Sequence, residues 1–321
     1  MKKIRLSIGI WMDPIEKIKP EKDSSLALLL AAQRHKFKIS YLPRNELTIE
    51  DGISYAQQIP LAVRDSKENF FSLGKKVKLP LSVLDVILIR ADPPFDMDYL
   101  YSSQILELAE NNGTLIVNTP QSLRDCNEKL YATIFSKFMP PTLVSSSIQE
   151  LHSFHSKIGN IIAKPLDGMG GQGIFHINED GKNLGSVIEM LSKNGKKLIM
   201  LQQFRPEIID GDRRILVLNG EPHRTVLARI PIGNETRGNL AAGGKGVISK
   251  ITDREYEVAK SIGTDLFKRG ILLAGIDMIG GFLTEINITS PTCIREIDSQ
   301  TDNDIAYKFL AIIKDKLFNN N

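Results

Sequence analysis

Cysteine is scarce in this sequence. Only Cys126 and Cys293 occur among 321 residues, and they lie far apart without a CxxC pair. A disulfide framework or a zinc ribbon needs more cysteines at closer spacing, so the sequence argues against both and fits a reducing cytoplasm. Histidine is also scarce, with five residues, and neither GxSxG nor HExxH occurs. These absences lower the expectation of a hydrolase.

A strong charge imbalance and a long apolar run are also missing. Lys and Arg number 41 against 38 Asp and Glu, a net charge of +3, which favours neither a nucleic-acid partner nor a membrane surface. The apolar stretch 26–32 is far shorter than the ~20 residues that cross a bilayer. The opening MKKIRLSIGIWMDP is interrupted by Ser7 and Gly9, so we expect a β-strand there and not a signal peptide.

The order of local patterns predicts the fold class. The length predicts two or three domains that share a cleft. In the first third, apolar runs at 4–10, 38–42 and 83–89 alternate with helical patterns, the first of which Asp23 and Ser24 can cap. This order is typical of an α/β unit with a doubly wound parallel sheet. The polar segment 45–78 predicts only a peripheral hairpin or loop.

The remaining chain predicts shorter units. Asn127 can cap a helix over 128–138 that Pro140 and Pro141 end, which makes this region a hinge between domains. A helix around 105–110 precedes it. Further predicted elements are strands at 142–144, 161–164, 174–177, 197–202, 215–218 and 225–230, helices at 148–157, 184–191, 253–269 and 305–317, and a hairpin over 271–289.

A glycine-rich turn follows the predicted strand 161–164. Gly168, Gly170 and Gly173 match GxGxxG, the pattern of dinucleotide-binding proteins, but the residues that follow favour a short strand and not a helix. A plain hairpin turn is one interpretation. Because Lys164 ends the preceding strand, we favour a flexible flap whose backbone amides and lysine bind phosphate.

The hairpin 271–289 carries three oxygen ligands. Glu285 and Asn287 share one strand face, and Asp277 can face Glu285 if Gly280, Gly281 and Phe282 form a three-residue turn or if a bulge occurs. Two carboxylates and a carboxamide without His or Cys suit Mg²⁺. The alternative is an ordinary solvated strand face.

A long loop in the second half predicts a lid. Residues 231–246 are too many for a simple connector and contain Arg237 among glycines. Closure would bring a guanidinium onto a charged intermediate and expel water. Other arginines in this half have surface ion pairs as their simplest interpretation. His152 and His155 lack a third metal ligand, and Cys293 lacks a nearby histidine, so neither predicts a catalytic centre.

Long motifs throughout the chain resemble the prokaryotic-type glutathione synthetases, a family of the ATP-grasp superfamily. They are MDPI from Met12, KDSS from Lys22, the segment 90–96, NTPQSLRDCNEKL from Asn118, KPLDGMGG from Lys164, LARIPIGNETRGNLAAGG from Leu227 and TEINITSPTCIRE from Thr284. The resemblance implies an ATP-grasp fold, α+β in its ATP-binding part, behind the N-terminal parallel-sheet domain. It implies a substrate-binding domain over 1–122, a flap domain over 123–203 and a C-terminal domain over 204–321 with a catalytic loop at 230–246.

The resemblance also implies roles for matching residues. Lys129, Lys164 and the flap Gly168, Met169, Gly170 and Gly171 would hold ATP phosphates, Gln202, Gln203 and Phe204 would surround adenine, and Asp212 would contact the ribose. Asp277, Glu285 and Asn287 would bind Mg²⁺, with Mn²⁺ as an alternative. Arg214, Arg229 and Arg237 would stabilise the transferring phosphoryl group, and Arg90 and Arg295 would bind substrate carboxylates.

The activity implied is ATP-dependent joining of γ-glutamylcysteine and glycine, with release of ADP and phosphate, in a cytoplasmic homotetramer. Activation of a carboxylate by phosphorylation needs no protein nucleophile, which agrees with the missing Ser, His or Cys constellation. Rival hypotheses are a D-alanine:D-alanine or glutamate-ligating enzyme of the same superfamily, a non-catalytic ATP-binding protein, and a nicotinamide-dependent oxidoreductase that GxGxxG alone would support.

Overall fold

The N-terminal unit of the protein is built on a mixed sheet. The computed structural model describes residues 5–233, 235, 237–240 and 243–319. The elements of this unit are β1 (Ser7–Met12), α1 (Ser24–Arg34), β2 (Lys38–Pro43), β3 (Leu47–Glu50), β4 (Ile53–Val63), β5 (Phe71–Leu73), β6 (Val77–Pro80), β7 (Val86–Ile89), α2 (Met97–Asn111), β8 (Leu115–Val117) and α3 (Pro120–Asp125).

Four strands form the predicted parallel sheet. β2, β1, β7 and β8 are adjacent and parallel, in that order. Alternate residues of β1 and β7 enter two different cores, so these strands are buried on both faces, which explains their nearly continuous apolar runs. Asp23 caps α1 as predicted, because its carboxylate accepts from the Leu26 amide at 2.6 Å. The predicted doubly wound unit is confirmed.

The segment 45–78 is not a loop, but the predicted alternative of a hairpin is confirmed, because β3 and β4 pair antiparallel around a turn at Asp51 and Gly52. It contains β3 to β6, which extend the sheet by antiparallel pairing around the 11-residue β4. The buried side of β4 includes Ser54 and Gln58, and the Gln58 amide donates to the Pro80 carbonyl at 3.1 Å. Because these buried side chains are polar, their alternation carried no hydrophobic signal.

Two helix predictions need correction near this unit. α2 is much longer than 105–110, because Asp96 caps it by accepting from the Tyr99 amide at 2.8 Å. The Asn127 side chain does cap, accepting from the amides of Lys129 and Leu130 at 3.0 Å each. The residues that follow form a 3₁₀ helix, Tyr131–Phe138, that is broken at Phe135 and not a regular α-helix.

A small middle unit has its own core. Its elements are β9 (Thr142–Ser145), α4 (Ile148–Ile158), β10 (Ile161–Pro165), β11 (Phe175–Ile177), α5 (Leu184–Ser192) and β12 (Ile199–Gln203). The strands form an antiparallel sheet in the order β11-β10-β12-β9, and both helices pack on it around Leu151 and Ile188. The core cluster of this unit contains no residue from the other two units.

The last unit is a second antiparallel sheet. Its elements are β13 (Asp212–Leu218), β14 (Glu221–Pro222), β15 (Thr225–Ile230), β16 (Lys245–Lys250), α6 (Asp253–Lys268), β17 (Leu273–Ile279), β18 (Phe282–Asn287), α7 (Ile294–Asp298) and α8 (Ile305–Asn319). The strand order is β16-β15-β13-β17-β18, with β14 paired to β13. β16 was not predicted. Among the described residues, no helix combines the length and apolar character needed to span a bilayer.

The two ends of the chain share one core. α8 packs against α1, and Phe309, Leu310 and Ile313 join Ile8, Leu28 and other residues of the N-terminal unit in a single cluster. The predicted domain limits at 122 and 203 stay predictions, but the N-terminal sheet has no complete core without the last helix.

Candidate active site

A cavity of about 260 Å³ lies where the three units meet. Its lining includes most of the residues that the sequence predicted, from every unit. These are Lys129, Lys164, Gly168, Met169, Gly170, Gly171, Gln202, Gln203, Phe204, Asp212, Arg214, Arg229, Arg237, Glu285 and Asn287. Asp277 lies directly behind this lining, whereas Arg90 and Arg295 are not part of it.

Two buried lysines, Lys129 and Lys164, line the cavity. Lys164 lies in β10, and its Nζ donates to Gln202 Oε1 and to the Thr284 carbonyl, both at 3.3 Å. Lys129 Nζ donates to the Gly168 carbonyl at 2.8 Å and lies 3.0 Å from Glu285 Oε1. Burial lowers the pKa of Lys164. Burial also acts against the charge of Lys129, but the carboxylates beside it outweigh this effect and raise its pKa.

The glycine flap (residues 168–173) joins two strands, as predicted. It connects β10 to β11 and opens no helix, so it is not a dinucleotide-binding fingerprint, as the residues after it predicted. Gly170, Gly171 and Gly173 have φ of +61°, +83° and +70°, a region that favours glycine. The Gly171 carbonyl accepts from Arg237 Nη1 at 3.2 Å, so the flap meets the lid (residues 230–246) over the cavity. Residues 234, 236, 241 and 242 of the lid lie outside the described residues.

The β17–β18 hairpin places Asp277 opposite Glu285. The turn has two residues, Gly280 and Gly281, with φ of +56° and +77°, and a bulge at Thr284 restores the register. Of the two predicted arrangements, the bulge is confirmed and the three-residue turn is not. The Thr284 hydroxyl donates to the Asp277 carbonyl at 3.0 Å, which fixes the bulge.

Arginines from two strands surround Asp277. Arg214 on β13 pairs directly opposite Asp277 and donates to both its oxygens at 2.5 and 2.8 Å. Arg229 on β15 lies 2.9 Å from the Asp277 carboxylate and 2.5 Å from that of Asp212. Burial alone would raise the pKa of Asp277, but the two arginines outweigh it and lower the pKa to about 2. Burial raises the pKa of Asp212 to about 6 despite Arg229.

Oxygen donors for a divalent cation face the cavity from β18. The Asn287 amide nitrogen donates to Asp277 Oδ2 at 3.1 Å and to the Gly275 carbonyl at 3.3 Å, which leaves its amide oxygen free. In the described part of the chain, no three His, Cys, Asp or Glu side chains form a metal-binding group. Carboxylate and amide oxygens without nitrogen or sulfur fit Mg²⁺.

Two carboxylates of the cavity lining were missed by sequence reasoning. Glu128 precedes Lys129 and accepts from its Nζ at 2.6 Å. Burial raises the pKa of Glu128 to about 7, and the negative charge of Glu285 adds to the rise. Asp92, in the loop after β7, lines the cavity from the N-terminal unit. Both lie inside motifs quoted above, but no residue spacing indicates that they approach the C-terminal hairpin.

The two predicted carboxylate-binding arginines lie outside the lining. Arg90 is buried and donates to Ser25 Oγ and to the Pro291 carbonyl, each at 3.0 Å, so it reaches the cavity only through the Pro291 loop. Arg295 forms an ion pair with Asp65 at 2.5 Å and lines a separate surface groove between α1 and α7. The structure therefore does not bring Arg295 to the other predicted residues.

Solved structures identify the fold. A D-cycloserine synthetase superposes with a TM-score of 0.69 at 12% identity, covering 97% of this chain and 100% of its own. An ATP-grasp ligase complexed with a minimal precursor, Mg and ADP superposes with a TM-score of 0.62 at 14% identity, covering 99% of each chain. At such identities the likeness shows the fold alone, and the fold is ATP-grasp.

Sequence relatives identify the family. Residues 6–124 match the N-terminal domain of prokaryotic glutathione synthetase, and residues 128–302 match its ATP-grasp domain. The glutathione synthetases of Shewanella oneidensis and Pseudomonas putida are 48% and 49% identical over 97% of this chain and 99% and 98% of their own lengths. That of Escherichia coli K12 is 47% identical over 97% of this chain and 99% of its own. The chain belongs to the prokaryotic glutathione synthetase family and is an ATP-dependent carboxylate-amine ligase.

Proposed function

We propose that this protein is a glutathione synthetase that joins γ-glutamylcysteine to glycine and converts ATP to ADP and phosphate. One observation carries the proposal: a single cavity is lined by two lysines and four arginines together with Glu285 and Asn287. A site that activates a carboxylate by phosphorylation needs this combination of cations for the phosphates and oxygen ligands for a metal. The relatives of nearly full length support the same activity.

ATP would bind between the middle and last units. Lys129 and Lys164 would contact its phosphates, since both ammonium groups are buried beside the glycine flap. The end of β12, with Gln202, Gln203 and Phe204, would surround the adenine. Asp212 would contact the ribose. Burial of Lys164 removes competing water, which strengthens its attraction for phosphate oxygens.

A divalent cation, Mg²⁺ or Mn²⁺, would be held by Glu285 and Asn287, with Asp277 behind them. When bound, it would neutralise negative charge on the phosphates and so ease phosphoryl transfer. Asp277 in this structure already balances the charges of Arg214 and Arg229. We propose that its first task is to fix these two guanidinium groups at the cavity wall.

The arginines would act on the transferring phosphoryl group. The γ-phosphoryl of ATP moves to the cysteinyl carboxylate of the dipeptide, which converts a poor electrophile into an acyl phosphate. Arg214 and Arg229 are preorganised by Asp277, so they stabilise the developing charge without first having to reorganise. The glycine amine then attacks the acyl carbon and phosphate leaves. Arg237 in the lid would cover this intermediate and keep water out.

The remaining assignments are also proposals. Arg90 would act on substrate carboxylates only through the Pro291 loop, and Arg295 only if its groove forms part of the substrate path. A homotetramer is proposed from the family resemblance. A cytoplasmic location is proposed because the substrate and the product are thiols, which a reducing compartment preserves.

The direct test is phosphate release by the purified protein. We expect turnover only when γ-glutamylcysteine, glycine and Mg-ATP are all present. Acceptor profiling with D-alanine and glutamate tests the related ligases. Rapid turnover with one of these acceptors and none with glycine would contradict the proposal, and ATP binding without amine-dependent ADP formation would indicate a non-catalytic protein.

A further inference from the structure

Among the described residues, the cavity lining contains one carboxylate that is not paired with a cation. Asp92 lines the wall supplied by the N-terminal unit. The other carboxylates of the lining are each paired with a cation of the same lining: Glu128 and Glu285 with Lys129, and Asp212 with Arg229. The Asp92 carboxylate forms no ion pair and no side-chain hydrogen bond with any residue that the structure describes.

The backbone of Asp92 is held in place from both sides. Its amide donates to Asp13 Oδ2 at 2.8 Å, and its carbonyl accepts from Arg44 Nη1 at 2.9 Å. Arg44 also bonds Asp13 at 3.1 Å, so the loops after β1, β2 and β7 are tied together at this point. Arg90, two residues earlier, binds Ser25 and Pro291 and so does not neutralise Asp92 by direct contact. The backbone at Asp92 is therefore fixed, and its exposed carboxylate has no partner among the described residues.

The charges of the proposed ligands indicate what this carboxylate binds, and this step rests on the proposed function. ATP and the acyl phosphate are anions, and they need the lysines and arginines of the other walls. γ-Glutamylcysteine carries one positive group, the α-ammonium of its γ-glutamyl end. That group is at the opposite end of the dipeptide from the cysteinyl carboxylate that reacts. A fixed, unpaired anion on the wall of the N-terminal unit complements it.

We propose that Asp92 is a specificity-determining residue that binds the α-ammonium of the γ-glutamyl group. Through it the enzyme would select dipeptides that retain a free amino group. A charge-assisted hydrogen bond of this kind is weakened when either partner loses its charge, so both the protein and the ligand can be altered to test the same contact.

The test compares Asp92→Asn with wild type in steady-state phosphate release. The variant retains the size of the side chain and the backbone bonds to Asp13 and Arg44. We expect the KM for γ-glutamylcysteine to rise about ten- to a hundredfold, the range for loss of one charged hydrogen bond. The KM values for ATP and glycine should not change. Asp98→Asn, an exposed carboxylate on α2 outside the cavity, is the matched control and should behave as wild type.

A substrate analogue without the α-amino group tests the same contact from the side of the ligand. Glutaryl-cysteine is the same dipeptide with hydrogen in place of the α-amino group. The KM of wild type for glutaryl-cysteine should exceed its KM for γ-glutamylcysteine by a factor similar to that expected for the substitution. The KM values of Asp92→Asn for the two dipeptides should be equal. An unchanged KM for γ-glutamylcysteine in the variant, an equal preference for the amino group in both proteins, or a rise in the KM for glycine instead would overturn the proposal.

If Asp92→Asn has no turnover, calorimetry measures its binding of γ-glutamylcysteine and of ATP directly. Loss of γ-glutamylcysteine binding with retained ATP binding supports the proposal, and loss of both contradicts it. Failure of the proposed function appears separately, because wild type would then show no turnover with γ-glutamylcysteine, glycine and ATP. A fully active wild type with an indistinguishable variant would overturn the role of Asp92 alone.

Discussion

The pKa of Glu128 depends on its burial and on the charged side chains around it in the cavity. Its carboxylate lies beside Lys129 and close to Glu285, and its carbonyl accepts from the Ile286 amide at 3.0 Å. Burial and the charge of Glu285 raise its pKa to about 7 from a usual value of 4.5. The free protein therefore binds a proton at Glu128 more tightly when folded than when unfolded.

This shift predicts a pH-dependent effect of Glu128→Gln. A raised carboxyl pKa gives stability that is complete below pH 4.5 and is lost as the pH rises through 7. Glutamine cannot ionise, so the variant should gain stability relative to wild type by about 1–3 kcal/mol between pH 5 and pH 8. Urea unfolding of wild type and variant at pH 5 and at pH 8, in the presence of EDTA, measures this difference in the free energy of unfolding. A difference that is the same at both pH values would show that Glu128 is not the group responsible.

Glu285→Gln tests the proposed metal ligands, also at the scale of single residues. The substitution removes a charged oxygen donor and keeps the volume, so the Mg²⁺ concentration for half-maximal rate should rise on the order of tenfold or more. Circular dichroism should show an intact fold. Glu189→Gln on the exposed face of α5 is the control. Loss of the fold in Glu285→Gln would instead assign the carboxylate a structural role in balancing Lys129.

At the scale of elements, the contact between flap and lid is the feature most directly tied to turnover. Arg237 joins the two by its bond to the Gly171 carbonyl. Space there is small, since a Cβ on Gly171 would lie 2.8 Å from Asn239 Oδ1. The positive φ of Gly171 favours glycine at this position, and a larger residue would also have to displace the Asn239 side chain.

Arg237→Ala should lower kcat far more than it weakens ATP binding. The guanidinium is proposed to act on the acyl phosphate and not on the ground-state nucleotide, and loss of such a group typically costs about 10²-fold or more in rate. Steady-state rates and the Kd of ATP measured by calorimetry separate the two effects. Arg64→Ala, an exposed arginine outside the cavity, serves as control. An unchanged kcat would remove Arg237 from the mechanism.

Elements with local sequence signals were predictable, whereas those that depend on distant contacts were not. Capping at Asp23 and the apolar runs of β1 and β7 predicted α1 and the parallel sheet, because such signals are local. β4 was missed because Ser54 and Gln58 occupy its buried side. In the site, the flap and the acidic hairpin were predicted from short motifs. Glu128 was missed, because only the fold brings it to Glu285 from far along the chain.

At the scale of the whole molecule, the shared core of the chain ends predicts cooperative unfolding. Phe309 in α8 is completely buried against residues of the N-terminal unit. Phe309→Ala should lower the free energy of unfolding by about 3–5 kcal/mol, the usual cost for a buried phenylalanine. Phe318→Ala, on the same helix but 47% exposed, is the matched control. Calorimetry of Phe309→Ala should show the N-terminal and last units melting together, and a separate early transition for α8 alone would contradict the shared core.

The junction of α1 and α8 also determines when each part of the chain can fold during synthesis. The middle unit contains every member of its own core cluster between residues 151 and 201, so it can fold soon after it leaves the ribosome. The N-terminal sheet is synthesised first but lacks the apolar partners that residues 294–313 supply. Part of its apolar face therefore remains uncovered until residues 294–313 have been synthesised, and a chaperone would protect it during that interval.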